Sequence, residues 1–106
     1  MYYLIGDIGN TSTRICLLNN RSKIIRSIIF DTKNIFKRDY IKKILRKTLK
    51  KNIKKKILFS CVVPNAFRKI GKDFKELKFK AIDIKKLNLK KMIKINLKNI
   101  KQLGSD

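Results

Sequence analysis

The chain has 106 residues, with 29 Lys and Arg against 7 Asp and Glu, and carries a formal net charge of +22. This length suits one domain or part of one, and a hydrophobic content of 43 % supplies enough core to exclude global disorder. The sequence has no histidine and no apolar run long enough to cross a bilayer, which excludes histidine-based catalysis, histidine zinc sites and a transmembrane helix within it.

The first residues predict two strands joined by a turn rich in glycine and hydroxyl groups. Apolar runs at residues 2–5 and 15–18 lie within the predicted strands, 2–7 and 13–18, which flank Gly9 and its neighbours. Gly9 is expected to adopt a positive φ, and Gly6 is expected to let another group approach the backbone closely. The pattern therefore favours a tight connection between the two strands.

The same turn has the chemistry of a phosphate-binding loop. Backbone N–H donors converge in such a turn, and the hydroxyls of Thr11, Ser12 and Thr13 can bond phosphate oxygens. Asp7, at the end of the first strand, would hold a metal ion or its water shell beside those phosphates. An ordinary hairpin remains the alternative, because Gly-Asn is a common turn pair.

The next segments predict a third strand and a helix. A turn at 19–21 and an isoleucine-rich run at 23–30 complete an antiparallel meander. A helix is expected to begin at Asp39. Apolar residues then recur on one helical face, at Ile41, Ile44, Leu45 and Leu49.

The second half of the chain predicts alternating strands and helices. The unbroken apolar run 57–63 is typical of a strand buried on both faces, and Pro64 would end it. Asn65 would cap a short helix. That helix carries three apolar residues at helical spacing, Phe67, Ile70 and Phe74. Three further elements are predicted, a strand at 79–84, a weaker one at 92–97 and a helical turn at 99–103.

The basic residues are spread along the chain, and nearly half of all residues are Lys, Ile or Asn, which have A/T-rich codons. We therefore attribute the charge to genome composition, and expect salt-sensitive adhesion to polyanions without a specific nucleic-acid site. The densest lysines, 50–51 and 54–56, are expected in a solvated loop between a helix and a strand. A basic nucleic-acid-binding protein remains an alternative, although most aromatic residues occupy core-like positions rather than a stacking face.

The two cysteines indicate a reducing environment. Cys16 and Cys61 fall in predicted strands without metal-ligand spacing, so they are expected to be buried small hydrophobic residues rather than reactive thiols. Asp7 and Asn10 interrupt the first apolar run, so the sequence predicts no signal peptide. A cytoplasmic location without a membrane partner is the resulting expectation.

The predicted order, β-β-β-α-β-α-β, gives an α/β fold with a mixed sheet, and resembles an incomplete ribonuclease-H-like (actin-like ATPase) domain. Residues 7–13, DIGNTST, resemble the first motif of the type III pantothenate kinases, DIGNTNT. Residues 60–64, SCVVP, resemble that family's SSVVP segment, and residues 99–106, NIKQLGSD, its NPxEVGAD segment. Departures from the family include Ser12 for Asn, Cys61 for Ser, Ile100 for Pro, Ser105 for Ala, and Leu97 for a substrate-contacting Tyr.

The resemblance implies ATP-dependent phosphorylation of pantothenate, the first step toward coenzyme A. The ATP phosphates would lie against the first motif, at Asp7, Ile8, Gly9, Asn10, Thr11, Ser12, Thr13 and Arg14. Asp7 would also lie near the Mg²⁺ that accompanies ATP. Asp106 would be the catalytic base, and would contact the substrate together with Gly104 and Ser105. Potassium would be the monovalent cation, with its ligand outside this chain, and the complete enzyme would be a homodimer.

The resemblance further implies that residues 1–106 form the N-terminal lobe of a two-lobed actin-like kinase, with the second lobe missing from this sequence. A chain that ended there would be an inactive remnant of such an enzyme. Another actin-like sugar or acetate kinase remains an alternative, because the first motif is shared across that superfamily.

Overall fold

The computed structural model describes residues 1–48 and 52–84. Their order confirms the predicted β-β-β-α-β-α-β arrangement. The elements are β1 (Tyr2–Ile8), β2 (Ser12–Leu18), β3 (Ile24–Asp31), a 3₁₀ helix (Thr32–Phe36), α1 (Tyr40–Thr48), β4 (Ile53–Cys61), α2 (Pro64–Glu76) and β5 (Lys80–Asp83). The expected elements at 92–97 and 99–103, and the helical residue Leu49, lie outside the described residues.

The strands form one mixed sheet in the order β3-β2-β1-β4-β5. β1 pairs antiparallel with β2, and β2 with β3, because short turns join them. β4 is parallel to β1 and to β5. The chain returns from β3 to β4 through α1, and α2 makes the crossover from β4 to β5. β1 therefore lies at the centre of the sheet, where the meander meets the parallel half.

The larger hydrophobic core lies between the sheet and the two helices. Ile41 and Leu45 of α1, and Ile70 and Phe74 of α2, pack in it with no exposed surface. The ring of Phe59 on β4 meets that of Phe74 edge-on, with 5.6 Å between the ring centres. An ion pair between Lys42 and Glu76 joins the two helices at the surface.

The opposite face of the sheet carries a smaller cluster. Ile5, Cys16, Leu18 and Leu58 are buried there. Because β1 and β4 bury side chains on both faces, their sequences are nearly continuous apolar runs. The prediction of a strand buried on both faces is confirmed for residues 57–60, whereas Val62, within the predicted run, is exposed.

The prediction that lysines 54–56 lie in a loop is wrong. β4 begins at Ile53, which is buried and pairs with Tyr2, so these lysines belong to the strand. The ammonium of Lys55 lies 4.6 Å from the centre of the Phe79 ring. Lysine has a long apolar stem, so it can cover a strand while its charge stays in solvent. β4 also ends at Cys61, two residues before the predicted position.

The predicted cap of α2 is also wrong. Val63 occupies the N-cap position without a side-chain hydrogen bond, and Pro64 is the first helical residue. Proline is favoured there because its fixed φ suits the helix and its missing N–H would have no intrahelical partner. Asn65 instead accepts a hydrogen bond from the Arg68 guanidinium.

No helix within residues 1–48 and 52–84 is long and apolar enough to cross a membrane.

Candidate functional site

The candidate site is the edge of the sheet where the parallel strands β1 and β4 end. Ligands of open α/β sheets bind at the carboxyl ends of such strands. Here the turn of residues 9–11, called the β1–β2 turn, stands beside the segment that follows β4. The Val62 N–H donates to the Ile8 carbonyl oxygen (3.1 Å), which joins the first and second sequence motifs.

Gly9 closes the turn in a way that differs from the prediction. No glycine among the described residues has a positive φ. The Gly9 N–H donates to the Ser12 carbonyl oxygen (2.9 Å), and a Cβ added to Gly9 would lie 3.0 Å from that oxygen. Gly9 is thus favoured by the close approach of the backbone rather than by a left-handed conformation.

Gly6 is confirmed as a site of close approach, and the approaching group belongs to the core. A Cβ added to Gly6 would overlap the ring of Phe59, which lies opposite it in the β1–β4 register. Gly6 therefore allows a large aromatic residue to pack directly beneath the candidate site.

Asp7 lies on the sheet face opposite the helices, half-buried, at the end of β1. The register places it between Arg14 of β2 and Ser60 of β4. No described residue forms an ion pair with the Asp7 carboxylate. A carboxylate that is half-buried and has no ion-pair partner is suited to a cation.

The predicted phosphate-binding residues differ in exposure. Asn10, Thr11, Ser12 and Arg14 are exposed. Ile8 is fully buried in the larger core, and its carbonyl oxygen accepts the Val62 N–H, so this predicted residue offers no exposed surface to a ligand. Thr13 is also buried, and its hydroxyl lies 2.8 Å from the hydroxyl of Thr32.

The segment that follows β3 contributes to the site, although sequence reasoning missed it. Asp31 and Lys33 line a polar cleft of about 260 Å³ together with Asn10 and Thr11. The closeness of this segment to the turn depends on the register of the meander, which places the end of β3 beside the start of β2, with Ser12 opposite Asp31, and no local sequence pattern gives that register. A larger cleft of about 460 Å³ lies between α2 and the start of β5, and none of the predicted site residues that the structure describes lines it.

The donor set fits a metal ion that arrives with its ligand rather than a resident one. No cluster of three or more Asp, Glu, Cys or His side chains occurs in the described part of the chain. Mg²⁺ commonly binds to proteins through one or two carboxylates plus substrate phosphates and water. The Asp7 carboxylate beside the β1–β2 turn matches that requirement.

Cys61 lies at the same edge of the sheet, and its thiol is protonated. Burial raises the pKa of its thiol, and the nearby Asp83 and Asp7 charges raise it further. The Val63 N–H donates to its Sγ at 3.2 Å. Cys16 is buried, and both cysteines are free, consistent with structural rather than reactive roles.

The other predicted site residues, Gly104, Ser105 and Asp106, lie outside the described residues, as does Leu97. The structure therefore describes the phosphate-binding part of the predicted site and not its substrate-binding part.

Comparison with known proteins gives the same family as the motifs. The model of the type III pantothenate kinase family matches residues 3–106. The type III pantothenate kinase of Pelagibacter ubique (strain HTCC1062) is 45 % identical over 104 residues, which cover 97 % of this chain and 42 % of that protein. A solved Ppx/GppA family member from Aquifex aeolicus aligns over 80 % of this chain and 35 % of its own, with 17 % identity and a TM-score of 0.38. On the family match and the close sequence relative, the chain belongs to the type III pantothenate kinase family.

Proposed function

We propose that this chain supplies the ATP-binding edge of an enzyme that transfers the γ-phosphoryl group of ATP to pantothenate. The observation that carries the proposal is the exposed β1–β2 turn beside the Asp7 carboxylate, which pairs with no charged group of residues 1–48 and 52–84, in a chain of this family. The chain spans 42 % of the length of its Pelagibacter relative, so the complete activity is part of the proposal.

The β1–β2 turn would hold the ATP phosphates. Its backbone N–H groups and the hydroxyls of Thr11 and Ser12 are donors at an exposed edge, where they can bond phosphate oxygens. Arg14 adds a positive charge on the same face as Asp7. Phosphoryl transfer depends mainly on such positioning and charge neutralisation.

Asp7 would orient the metal that accompanies ATP. Mg²⁺, when bound with ATP, neutralises charge on the phosphates and fixes their geometry. Asp7 lies where β1 and β4 end side by side, so its carboxylate is held by two strands rather than by a loop. Ser60, which is buried, lies opposite Asp7 in the β1–β4 register.

The remaining parts of the mechanism come from the sequence motifs. We assign Asp106 as the base that orients the pantothenate hydroxyl, and Gly104 and Ser105 as backbone contacts to the substrate. Potassium as the monovalent cation and homodimer formation follow from the family. These assignments rest on the NIKQLGSD segment and on membership in the family.

The test is binding of Mg-ATP by the chain, measured by isothermal titration calorimetry, in Asp7→Asn and in a matched control. We expect millimolar or tighter binding, and at least about tenfold weaker binding in Asp7→Asn, because the neutral amide cannot replace the carboxylate beside Mg²⁺. Asp39→Asn is the control. Asp39 is exposed before α1 with a φ of 59°, a conformation that Asn also tolerates.

Two results would contradict the proposal. One is a parent protein that does not bind Mg-ATP, and the other is an equal affinity in the Asp7 and Asp39 variants. Mass-spectrometric detection of phosphopantothenate, with and without potassium, then tests turnover and the cation separately from binding.

A further inference from the structure

We infer that Thr32 is a positioning residue that fixes the β1–β2 turn in the shape needed for phosphate binding. The inference rests on the proposed function. Thr32 follows β3 directly, is buried, and is separated from the turn by about twenty residues of chain. Neither the motifs nor the family comparison assigns it a role.

Thr32 bonds to the backbone of the turn at two points. Its hydroxyl donates to the Gly9 carbonyl oxygen at 2.7 Å. Its own N–H donates to the Thr11 carbonyl oxygen at 2.9 Å. One residue therefore fixes two peptide units of the turn, the one between Gly9 and Asn10 and the one between Thr11 and Ser12.

The Thr13 hydroxyl completes the arrangement. It lies 2.8 Å from the Thr32 hydroxyl, whose single proton already points to the Gly9 carbonyl oxygen. Thr13 must therefore be the donor of this pair. Both hydroxyls are buried, so water cannot readily replace either bond, and loss of one would leave a polar group without a partner.

These bonds determine where the neighbouring N–H groups point. The described peptide bonds are all trans, and in a trans peptide the N–H points opposite to the C=O of the preceding residue. The Gly9 and Thr11 carbonyls point toward Thr32, so the N–H groups of Asn10 and Ser12 point away from it. Thr32 thereby orients the Asn10 N–H, which belongs to the turn that the proposed function assigns to phosphate, and the N–H of the adjoining Ser12.

The experiment uses Thr32→Val, which removes the hydroxyl and keeps the shape, and Thr32→Ser, which keeps the hydroxyl. The control is Thr48→Val. Thr48 is also buried, and its hydroxyl donates to the Ile44 carbonyl oxygen at 2.9 Å, far along the chain from the turn. Each variant is measured in two ways, by amide hydrogen exchange without ligand and by calorimetric binding of Mg-ATP.

We expect Thr32→Val to speed exchange of the Gly9 and residue 32 amides about tenfold more than Thr48→Val does, and to weaken Mg-ATP binding by about tenfold. Thr32→Ser should restore both values to within about twofold of the parent. A merely structural role would lower stability without this rescue pattern in nucleotide affinity.

The inference is overturned if the turn amides respond equally to Thr32→Val and Thr48→Val, or if Thr32→Val binds Mg-ATP as the parent does. Failure of the proposed function gives another pattern. The parent and Thr32→Ser proteins would then not bind Mg-ATP, although the turn amides still respond to Thr32→Val. That result would overturn the role toward phosphate while showing that Thr32 fixes the turn.

Discussion

The two turns of the antiparallel meander are fixed in opposite ways. In the β2–β3 turn, residues 19–23, the Asn19 side chain accepts hydrogen bonds from the Arg21 and Lys23 N–H groups, at 2.9 and 3.0 Å. The β1–β2 turn has one backbone bond of its own, from the Gly9 N–H to Ser12, and its further bonds come from Thr32, which lies beyond the next strand. The additional bonds thus come from a residue of the turn itself in one case and from a distant residue in the other.

The difference separates a structural turn from one that is free to bind a ligand. A side chain that bonds to the N–H groups of its own turn occupies the donors that an anion would need. In the β1–β2 turn the support comes through the carbonyl oxygens instead, and the neighbouring N–H groups stay available. A turn that binds phosphate therefore benefits from being held from outside.

Among the variants that test the difference between the two turns, Gly6→Ala is expected to have the largest effect. The new methyl group would overlap the buried Phe59 ring and force β1 away from β4, so we expect the free energy of unfolding to fall by about 1–3 kcal/mol. Urea denaturation measures this loss. Amide exchange should rise more at Gly9 than at Asn19, because β1 leads only into the first turn.

Gly71→Ala is the matched control for this substitution. Gly71 lies within α2, and an added Cβ would meet only the Ala81 methyl group, at 4.0 Å. Alanine is favoured over glycine inside a helix, so stability should rise by up to about 1 kcal/mol. Equal losses in the two glycine variants would show that the Phe59 contact is not the cause.

A smaller effect is expected from Asn19→Ala. Two N–H groups of the β2–β3 turn lose their acceptor, which should lower the free energy of unfolding by about 1 kcal/mol. Mg-ATP affinity should stay within about twofold of the parent, because this turn lies at the other end of β2. The control is Asn20→Ala, since Asn20 is an exposed neighbour of Asn19. A Mg-ATP affinity that falls in Asn19→Ala would contradict the assignment of a purely structural role to the β2–β3 turn.

The smallest effect is expected from Lys33→Gln. Lys33 lines the polar cleft beside the β1–β2 turn. Its side chain is exposed, and an exposed charge contributes only weakly to binding. Mg-ATP affinity should fall by about two- to fivefold at low salt and by less at high salt, since salt screens exposed charges. Lys37→Gln, exposed after the 3₁₀ helix, should leave affinity unchanged, and the same loss in both variants would indicate a general charge effect.

The sequence was sufficient where a single local pattern determines the structure. The order of the elements, the turn at 19–21 and the burial of β4 on both faces all follow from short runs of residues. Local patterns gave a wrong prediction where tertiary packing determines the secondary structure. Lysines 54–56 look like a loop, yet buried Ile53 and the pairing with β1 extend the strand through them.

The candidate site shows the same limit. Asp7 and the exposed residues of the β1–β2 turn could be identified from one motif. Thr32 and Lys33 could not, because their closeness to the turn depends on the pairing of β3 with β2. The reason that glycine is favoured at position 9 also differs from the predicted one. The Ser12 carbonyl oxygen approaches Gly9 only once the hairpin has folded.

The shared hydroxyl pair has a consequence for how relatives of this chain should vary. Thr13 donates to Thr32, and Thr32 donates to the turn, so neither hydroxyl is independent of the other. Relatives that lose the hydroxyl at the position of Thr32 should therefore also change at the position of Thr13, while those that keep Ser or Thr there should retain both. Covariation between these two positions, in proteins that diverged long ago, would record a contact that joins the end of one strand to the start of another.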